Sequence, residues 1–288
     1  MSKITEEEIK KILPKNGPPL KEVSKYIEKY KNELIVIKYG GNVFIDRNIF
    51  NNFIEDISLL NKLGLSIVVV HGGGPRIKRE LDKSNIHSKF IRGLRVTDKK
   101  IIDIVESVLI DFNNDIVSSL NKIGSKAISI NTKNNNIIEN IPEAEELGFV
   151  GIPNKININI IKNIIKDNKI PIISPLGLGI NNQTYNINGD TAAGAIAKSL
   201  KSRRLLLMTN VKGVLDKEKN LIEEISSFEI LEMIKNGTIT EGMIPKINTC
   251  LDSINNGVTA VGIIDGREKH SILFEIFSDK GSGTLIRK

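Results

Sequence analysis

The sequence predicts an α/β fold, a three-layer α/β/α sandwich around a mainly parallel sheet with helices on both faces. Near-continuous apolar runs such as Leu34-Ile35-Val36-Ile37-Lys38-Tyr39 and Ser66-Ile67-Val68-Val69-Val70 have the composition of strands buried on both sides. Longer stretches with helical periodicity alternate with them. Glycines follow the first two strands, at the carboxyl ends where such sheets bind ligands.

In chain order, residues 5–13 and 20–31 read as two short amphipathic helices broken by Pro14-Lys15-Asn16-Gly17-Pro18-Pro19, an appendage ahead of the first strand. Strand 34–39 ends in Gly40-Gly41, and a helix over about 46–62 follows. Strand 66–70 runs into His71-Gly72-Gly73-Gly74-Pro75 and another helix. Residues 98–122 have helical periodicity with an Asp start, and residues 126–130 form a strand. Asn134-Asn135-Asn136 then turns into a polar hairpin-like region ending at 147–151. Helix 158–166 and strand 170–174 precede a helix opening at Gly189-Asp190-Thr191, whose Ala/Gly/Ile run suits close packing on a sheet. Strand 205–208, helices 228–235 and 245–255, and strand 260–264 complete the alternation. There is no internal repeat, and the charged segment 198–204 is the one candidate lobe boundary.

Composition narrows the function classes. With 288 residues, 40% hydrophobic and 26% charged, the chain is an ordinary globular protein large enough for a sizeable core. The net charge of +7 arises from 41 Lys/Arg spread among 34 acids, not from a basic, aromatic-studded stripe, which argues against nucleic acid as a partner. No apolar run approaches the roughly 18 residues of a membrane helix, and the first residues carry no apolar signal core, so no membrane partner and a cytoplasmic location are expected. The lone Cys250 excludes an internal disulfide framework and a cysteine metal cluster, and no metal ligands are assigned.

Several residues point to anion chemistry. Gly40-Gly41 and Gly72-Gly73-Gly74 each follow a buried strand and precede a helix, so they read either as tight turns or as backbone N–H donors for a phosphate; two clusters on adjacent strands favour the donors. There is no phosphate-binding Gly-x-x-x-x-Gly-Lys-Ser/Thr stretch, and no Gly-x-Gly-x-x-Gly with a ribose-binding acid downstream. Lys38, near the end of a buried strand, is costly unless it meets an anion or snorkels to the strand end. Lys246 falls in the first turn of a helix, where a positive side chain opposes the dipole. Arg95 is a fork-shaped donor suited to a carboxylate. Asp190 either caps its helix or holds a ligand group.

These residues fall in an order that resembles the amino acid kinase family, its acetylglutamate-phosphorylating, arginine-sensitive branch most closely. The resemblance runs from about 34 to 286. It rests on Ile37-Lys38-Tyr39-Gly40-Gly41-Asn42, Val70-His71-Gly72-Gly73-Gly74-Pro75, Gly93-Leu94-Arg95-Val96-Thr97, Leu147-Gly148-Phe149-Val150-Gly151, Tyr185-Asn186-Ile187-Asn188-Gly189-Asp190, Thr209-Asn210-Val211-Lys212-Gly213-Val214 and Glu241-Gly242-Met243-Ile244-Pro245-Lys246.

The resemblance implies an amino acid kinase fold with two lobes, an acceptor lobe at 33–200 and an ATP lobe at 201–288, behind a helical extension at 1–32. It implies phosphoryl transfer from ATP with Mg²⁺ to the γ-carboxylate of N-acetyl-L-glutamate. Lys38 and Lys246 would stabilise the transition state and Asp190 would hold both ammonium groups. Gly41, Gly72, Gly73 and Gly74 would supply backbone donors, and Arg95 and Asn186 would fix the acceptor. Thr209, Asn210, Val211, Lys212, Gly213 and Val214 would border the nucleotide, with Met243 near its phosphates. Asn210 stands where the family commonly has Asp, Arg76 where it has Gln, Gly189 where it has Ala, and Ile152 where it has an acid.

Arginine-inhibited members carry an extra N-terminal helix that links dimers into a hexamer. Residues 20–31 occupy its place, with Tyr26 at its tyrosine, and the stretch holding His270, Glu275 and Gly283 resembles the arginine site; unaided, it reads as an amphipathic helix and tail. The resemblance therefore implies feedback by L-arginine, a hexamer built as a trimer of dimers, and a PII-type signalling protein as a candidate partner. Glutamate, aspartate, aminoadipate-carrier and UMP kinases share the glycine loops, and Gly93-Leu94-Arg95-Val96-Thr97 argues against them; a non-catalytic arginine or nucleotide sensor would keep the fold but not the activity, and retention of both lysines and Asp190 argues against that.

Overall fold

The computed structural model describes residues 5–40, 46–239 and 243–288. In order, the elements are α1 (Glu6–Ile12), α2 (Leu20–Lys29), β1 (Leu34–Tyr39), α3 (Arg47–Lys62), β2 (Ser66–His71), α4 (Gly74–Lys83), β3 (Phe90–Ile91), β4 (Leu94–Arg95), α5 (Lys99–Lys122), β5 (Ala127–Ile130), β6 (Ile138–Pro142), β7 (Gly151–Ile156), α6 (Ile158–Lys166), β8 (Ile170–Ile173), β9 (Leu176–Leu178), β10 (Thr184–Asn186), α7 (Gly189–Leu200), β11 (Arg204–Thr209), β12 (Glu224–Ser226), α8 (Ser227–Lys235), α9 (Ile244–Asn255), β13 (Ala260–Asp265), α10 (Ser271–Phe277) and β14 (Gly283–Arg287).

Eight strands form the central sheet in the order β12-β14-β13-β11-β1-β2-β8-β5. All neighbours are parallel except β13 and β14, so the carboxyl ends of β1, β2, β8, β11 and β13 share one edge. A four-stranded sheet, β10-β9-β6-β7, and the β3–β4 hairpin stand beside it. The hairpin turns on Arg92 and Gly93, both at positive φ, as a two-residue connection between right-twisted strands requires.

Strand periodicity decides which side chains meet which layer. Ile35, Ile37 and Tyr39 of β1 join a core cluster with α2, α3, α5 and α10. Val36, one residue out of phase, joins Val68, Val70 and Leu205 against α6, α7, α8 and α9. Lys38 is on the face of Val36 and therefore points at α7. Ala192, Ala193 and Gly194 are buried on α7, and a Cβ at Gly194 would lie 2.8 Å from Thr249 Cγ2 of α9. Small residues thus let α7 pack tightly on both β1 and α9.

Three expectations are corrected. The N-terminal helices are no appendage: Val23, Tyr26 and Tyr30 are buried in the main core cluster, because α2 spends its apolar stripe on α10. The hairpin-like region does not end at 151; β6 and β7 span Ile138–Ile156 with a bulge between Glu139 and Asn140. The stretch after His270 is neither amphipathic nor a tail, since six of the seven residues of α10 are buried and β14 adds antiparallel to β13. Among the described residues no helix is long and apolar enough to cross a membrane. Cys250 is buried in α9.

Leu206 is fully buried in the central strand β11, and its Cδ2 fills the space over Gly262 of β13. Leu206→Ala leaves a cavity there and is expected to lower unfolding free energy by about 2–5 kcal/mol in a urea titration. A loss below about 1 kcal/mol would contradict this packing.

Candidate active site

The site begins with the ends of two helices. At the start of α7 the Asn188 side chain accepts hydrogen bonds from the backbone of Asp190 (2.9 Å) and Thr191 (3.2 Å). Asn188 is therefore the N-cap, which removes the capping reading of Asp190 and leaves the other. Asn and Asp cap equally well, so two of them in Asn188-Gly189-Asp190 leave the register open in the sequence. The capping Asn frees the Asp190 carboxylate, at the second position of the helix, to face side chains of other elements.

That carboxylate lies between two lysines from different elements. Lys246 Nζ, in the first turn of α9, donates to Asp190 Oδ2 at 2.5 Å. Lys38 Nζ lies 2.9 Å from Oδ1, an ion-pair distance at which the angles fall outside a formal hydrogen bond. The three side chains are only 9%, 14% and 16% exposed for Lys38, Lys246 and Asp190. Burial alone would raise the Asp190 carboxyl, but the charges of Lys38 and Lys246 outweigh it and hold the group well below the usual carboxylate range. Burial pulls Lys38 below the usual lysine range, Asp190 opposes that fall and Lys246 adds to it. Two cations on one anion leave a net charge of +1, and buried ions without full compensation are costly. An anion placed against both ammonium groups would complete the set.

Gly40 makes the Lys38 position attainable. The lysine folds back across it, and a Cβ at residue 40 would collide with Lys38 Nζ and Cε. Lys38, Gly72, Gly73, Gly74, Arg95, Asn186, Gly189 and Asp190 line one cavity of about 240 Å³. Arg95 is buried, stacks 4.8 Å from the Phe90 ring, donates to Ser88 Oγ and reaches the Gly74 carbonyl at 3.4 Å. Asn186 Nδ2 donates to Thr97 Oγ1 at 3.3 Å. Lys246 lines an adjoining cavity of about 260 Å³ with Arg92, Thr191 and Pro245, and Asp190 is the wall between the two.

Val211, Gly213, Val214 and Met243 line a third, wider cavity of about 560 Å³. Thr209 is buried at the end of β11, while Asn210 and Lys212 are exposed and do not line it. Gly213 has φ +152° and no room for a Cβ beside Thr284 Oγ1, whose hydroxyl ties Val214 N (2.8 Å) to Ile222 O (2.6 Å). Gly41 lies outside the described residues.

The remaining expected residues lie around α10, in the opposite helical layer. Tyr26 donates to Asp279 Oδ1 at 2.7 Å, and burial together with that carboxylate pushes its hydroxyl up to about 12. His270, at φ +59°, meets Asp56 Oδ1 at 2.6 Å. Glu275 is buried, which raises its carboxyl, and accepts from Ser282 N at 3.0 Å. Gly283 has no room for a Cβ against the Ile263 carbonyl. Arg204, which sequence reading overlooked, donates Nε to Tyr30 OH at 2.9 Å and keeps Nη1 buried without a partner. Its position at the start of a strand gave no signal. Among the described residues no group of three or more His, Cys, Asp or Glu could hold a metal ion, and both oxygens of Asp190 face lysines.

Two glycine-lined helix starts facing paired lysines at the carboxyl edge of a parallel sheet define an anion-handling α/β enzyme of the phosphotransferase type. The chain belongs to the amino acid kinase family, which it matches over residues 33–265, and within it to the acetylglutamate kinases. It is 56% identical over 288 residues to the acetylglutamate kinase of Pelagibacter ubique (strain HTCC1062), covering all of both chains. It is 45% identical over 268 residues to that of Clostridioides difficile (strain 630), covering 91% of this chain and 94% of the relative. The fold is that of N-acetylglutamate synthase from Neisseria gonorrhoeae complexed with coenzyme A and N-acetyl-glutamate, with TM-score 0.84 and 22% identity over 93% of this chain and 62% of that one. It is also that of carbamate kinase from Giardia lamblia bound to AMP-PNP, with TM-score 0.66 and 18% identity over 89% and 98% of the two chains.

A carboxyl held low stabilises the folded state above its unfolded value, near 4, and loses that contribution as pH falls through its depressed folded value. Between pH 5 and 2 the wild-type stability should therefore fall more steeply than that of Asp190→Asn. Asn188→Ala should cost about 0.5–2 kcal/mol at neutral pH through the lost cap. Parallel acid limbs for wild type and Asp190→Asn in denaturant titrations would refute the assigned ion pairs.

Proposed function

We propose that the chain transfers the γ-phosphoryl group of ATP to the γ-carboxylate of N-acetyl-L-glutamate, giving N-acetyl-L-glutamyl 5-phosphate and ADP. The observation that carries this reading is the Lys38–Asp190–Lys246 bridge, with a glycine-lined pocket on one side and the start of α9 on the other. A γ-carboxyl near pKa 4.3 is already ionised at neutral pH, so the nucleophile needs no general base. One carboxylate oxygen forms the new bond to phosphorus, the bond to the β,γ-bridging oxygen breaks, and that electron pair leaves on ADP. No proton moves.

Catalysis is then in-line positioning and charge neutralisation. Lys38 and Lys246 meet the equatorial oxygens from opposite sides, and Asp190 keeps both ammonium groups at fixed separation. It is not a base, because its carboxyl is held far below neutral pH and both oxygens are occupied. Backbone N–H groups of Gly41, Gly72, Gly73 and Gly74 supply further donors. Arg95 and Asn186 hold the acceptor's own carboxylate and amide. Thr209, Asn210, Val211, Lys212, Gly213, Val214 and Met243 border the nucleotide. ATP would carry Mg²⁺ on its phosphates, where the ion would help neutralise charge during transfer.

In this reading residues 33–200 form the acceptor lobe, 201–288 the ATP lobe and 1–32 a regulatory extension, in a cytoplasmic enzyme. L-arginine binds beside α10, among Tyr26, His270, Glu275 and Gly283, and shifts the lobes of a hexamer built as a trimer of dimers, to which a PII-type protein docks. Support comes from the buried Glu275 carboxylate and the unpartnered Arg204 Nη1, complementary to the two ends of an amino acid zwitterion.

Trapping the acyl phosphate with hydroxylamine tests the reaction. Product is expected with N-acetylglutamate and ATP·Mg, strongly preferred over glutamate, aspartate, aminoadipate and UMP; an equal rate with glutamate would defeat the assignment. Lys246→Met should lower kcat by about 10²–10³. Millimolar arginine should slow the same assay, and an unchanged rate would remove the regulatory reading.

A further inference from the structure

His71 lies beside the transfer site without entering its cavity. It ends β2, is fully buried, and stands edge-on to Phe112 with centroids 5.0 Å apart at 79°. Its ring nitrogens have distinguishable partners. Asn113 Nδ2 faces the Ile172 carbonyl at 2.9 Å, and a carbonyl only accepts, so the amino group of Asn113 must sit there. Its other hydrogen points at His71 Nε2, 3.2 Å away, with Ser174 Oγ also at 3.2 Å. Nε2 is therefore the acceptor and the proton resides on Nδ1. Nδ1 in turn donates to the Gly72 carbonyl at 2.8 Å. Burial pulls the imidazole down to about 4, against the Gly72 hydrogen bond, and nearby Arg76 adds to the fall, so the ring is neutral at working pH.

Gly72 is thereby held at both of its polar atoms, since its N–H donates to the Tyr39 carbonyl at 2.8 Å. In a trans peptide the N–H of Gly73 points opposite to the carbonyl of Gly72. With that carbonyl drawn toward the buried imidazole, the Gly73 N–H is directed away from it. Gly72 and Gly73 line the cavity shared with Lys38 and Asp190. Glycine has no side chain to restrict the rotation of this peptide, so an external hold is needed.

We propose that His71, fixed in its Nδ1–H tautomer by Asn113, is a positioning residue that aims the Gly72–Gly73 peptide at the anion being transferred. The inference rests on the phosphoryl-transfer reading. It assigns a role to a side chain that touches no substrate.

Two amide variants, each mimicking one ring nitrogen, separate their roles. His71→Asn places an amide N–H near Nδ1 and keeps the donor to Gly72, whereas His71→Gln places it near Nε2 and loses that donor. His71→Asn is expected to retain kcat within about 3-fold. His71→Gln should lose about 10- to 100-fold in kcat with both KM values within about 3-fold, since misaligning a transition-state donor spares ground-state binding. Equal losses in the two variants, or none in either, would overturn the proposal. The ¹H–¹⁵N signal of Gly73 provides a readout free of turnover: it should shift in His71→Gln and stay near its wild-type position in His71→Asn. Failure of the wild type to make hydroxamate would count against the reaction alone, and a Gly73 signal that behaves alike in both variants would still count against the positioning role.

Discussion

A single carboxylate between two ammonium groups is the constraint around which this molecule is built. Asp190 belongs to α7, Lys38 to β1 and Lys246 to α9, so the bridge ties a central strand to the starts of two helices. Such a bridge is a poor means of stabilising a fold, because desolvating three ions offsets most of their attraction. Its value is electrostatic preorganisation. In the proposed transfer both cations would already stand where charge develops, with no reorganisation needed.

The surrounding architecture follows from holding those atoms. Lys38 points at α7 because it alternates with Ile37 on a strand paired on both sides, and Gly40 gives its side chain room to fold back. The buried alanines and Gly194 bring α7 close to α9, which brings Lys246 within reach. Asn188 takes over the cap and releases Asp190. The starts of both helices line one cavity, so in the proposed reaction their backbone dipoles would add to the two lysines. His71 extends the same logic to the glycine loop, where the groups to be aimed belong to the backbone.

Much of this was legible in the sequence, for identifiable reasons. β1, β2, β8, β11 and β13 are buried on both faces and read as apolar runs, and the long helices carry their own caps and periodicity. The strands β9, β10 and β12 did not announce themselves, because each has only three residues, and β14 was hidden in a stretch whose antiparallel pairing with β13 is a tertiary event with no local signal. Lys38 and Lys246 stood out as charges in costly places. The partner that reconciles them was visible as an acid at a helix start, but its register relative to the cap was not, since Asn188 and Asp190 are interchangeable as caps. Tyr26 and Tyr30 looked like part of a peripheral helix; burial against α10 makes them part of the core.

The most direct test is a crystal structure of the protein with N-acetylglutamate, MgADP and aluminium fluoride, a mimic of the transferred phosphoryl group. Nζ of both Lys38 and Lys246 should lie at hydrogen-bond distance, about 2.7–3.2 Å, from the fluoride ligands, with Asp190 still joining the two ammonium groups. A mimic held by only one lysine, or an Asp190 turned away from the lysines toward the acceptor, would contradict the account.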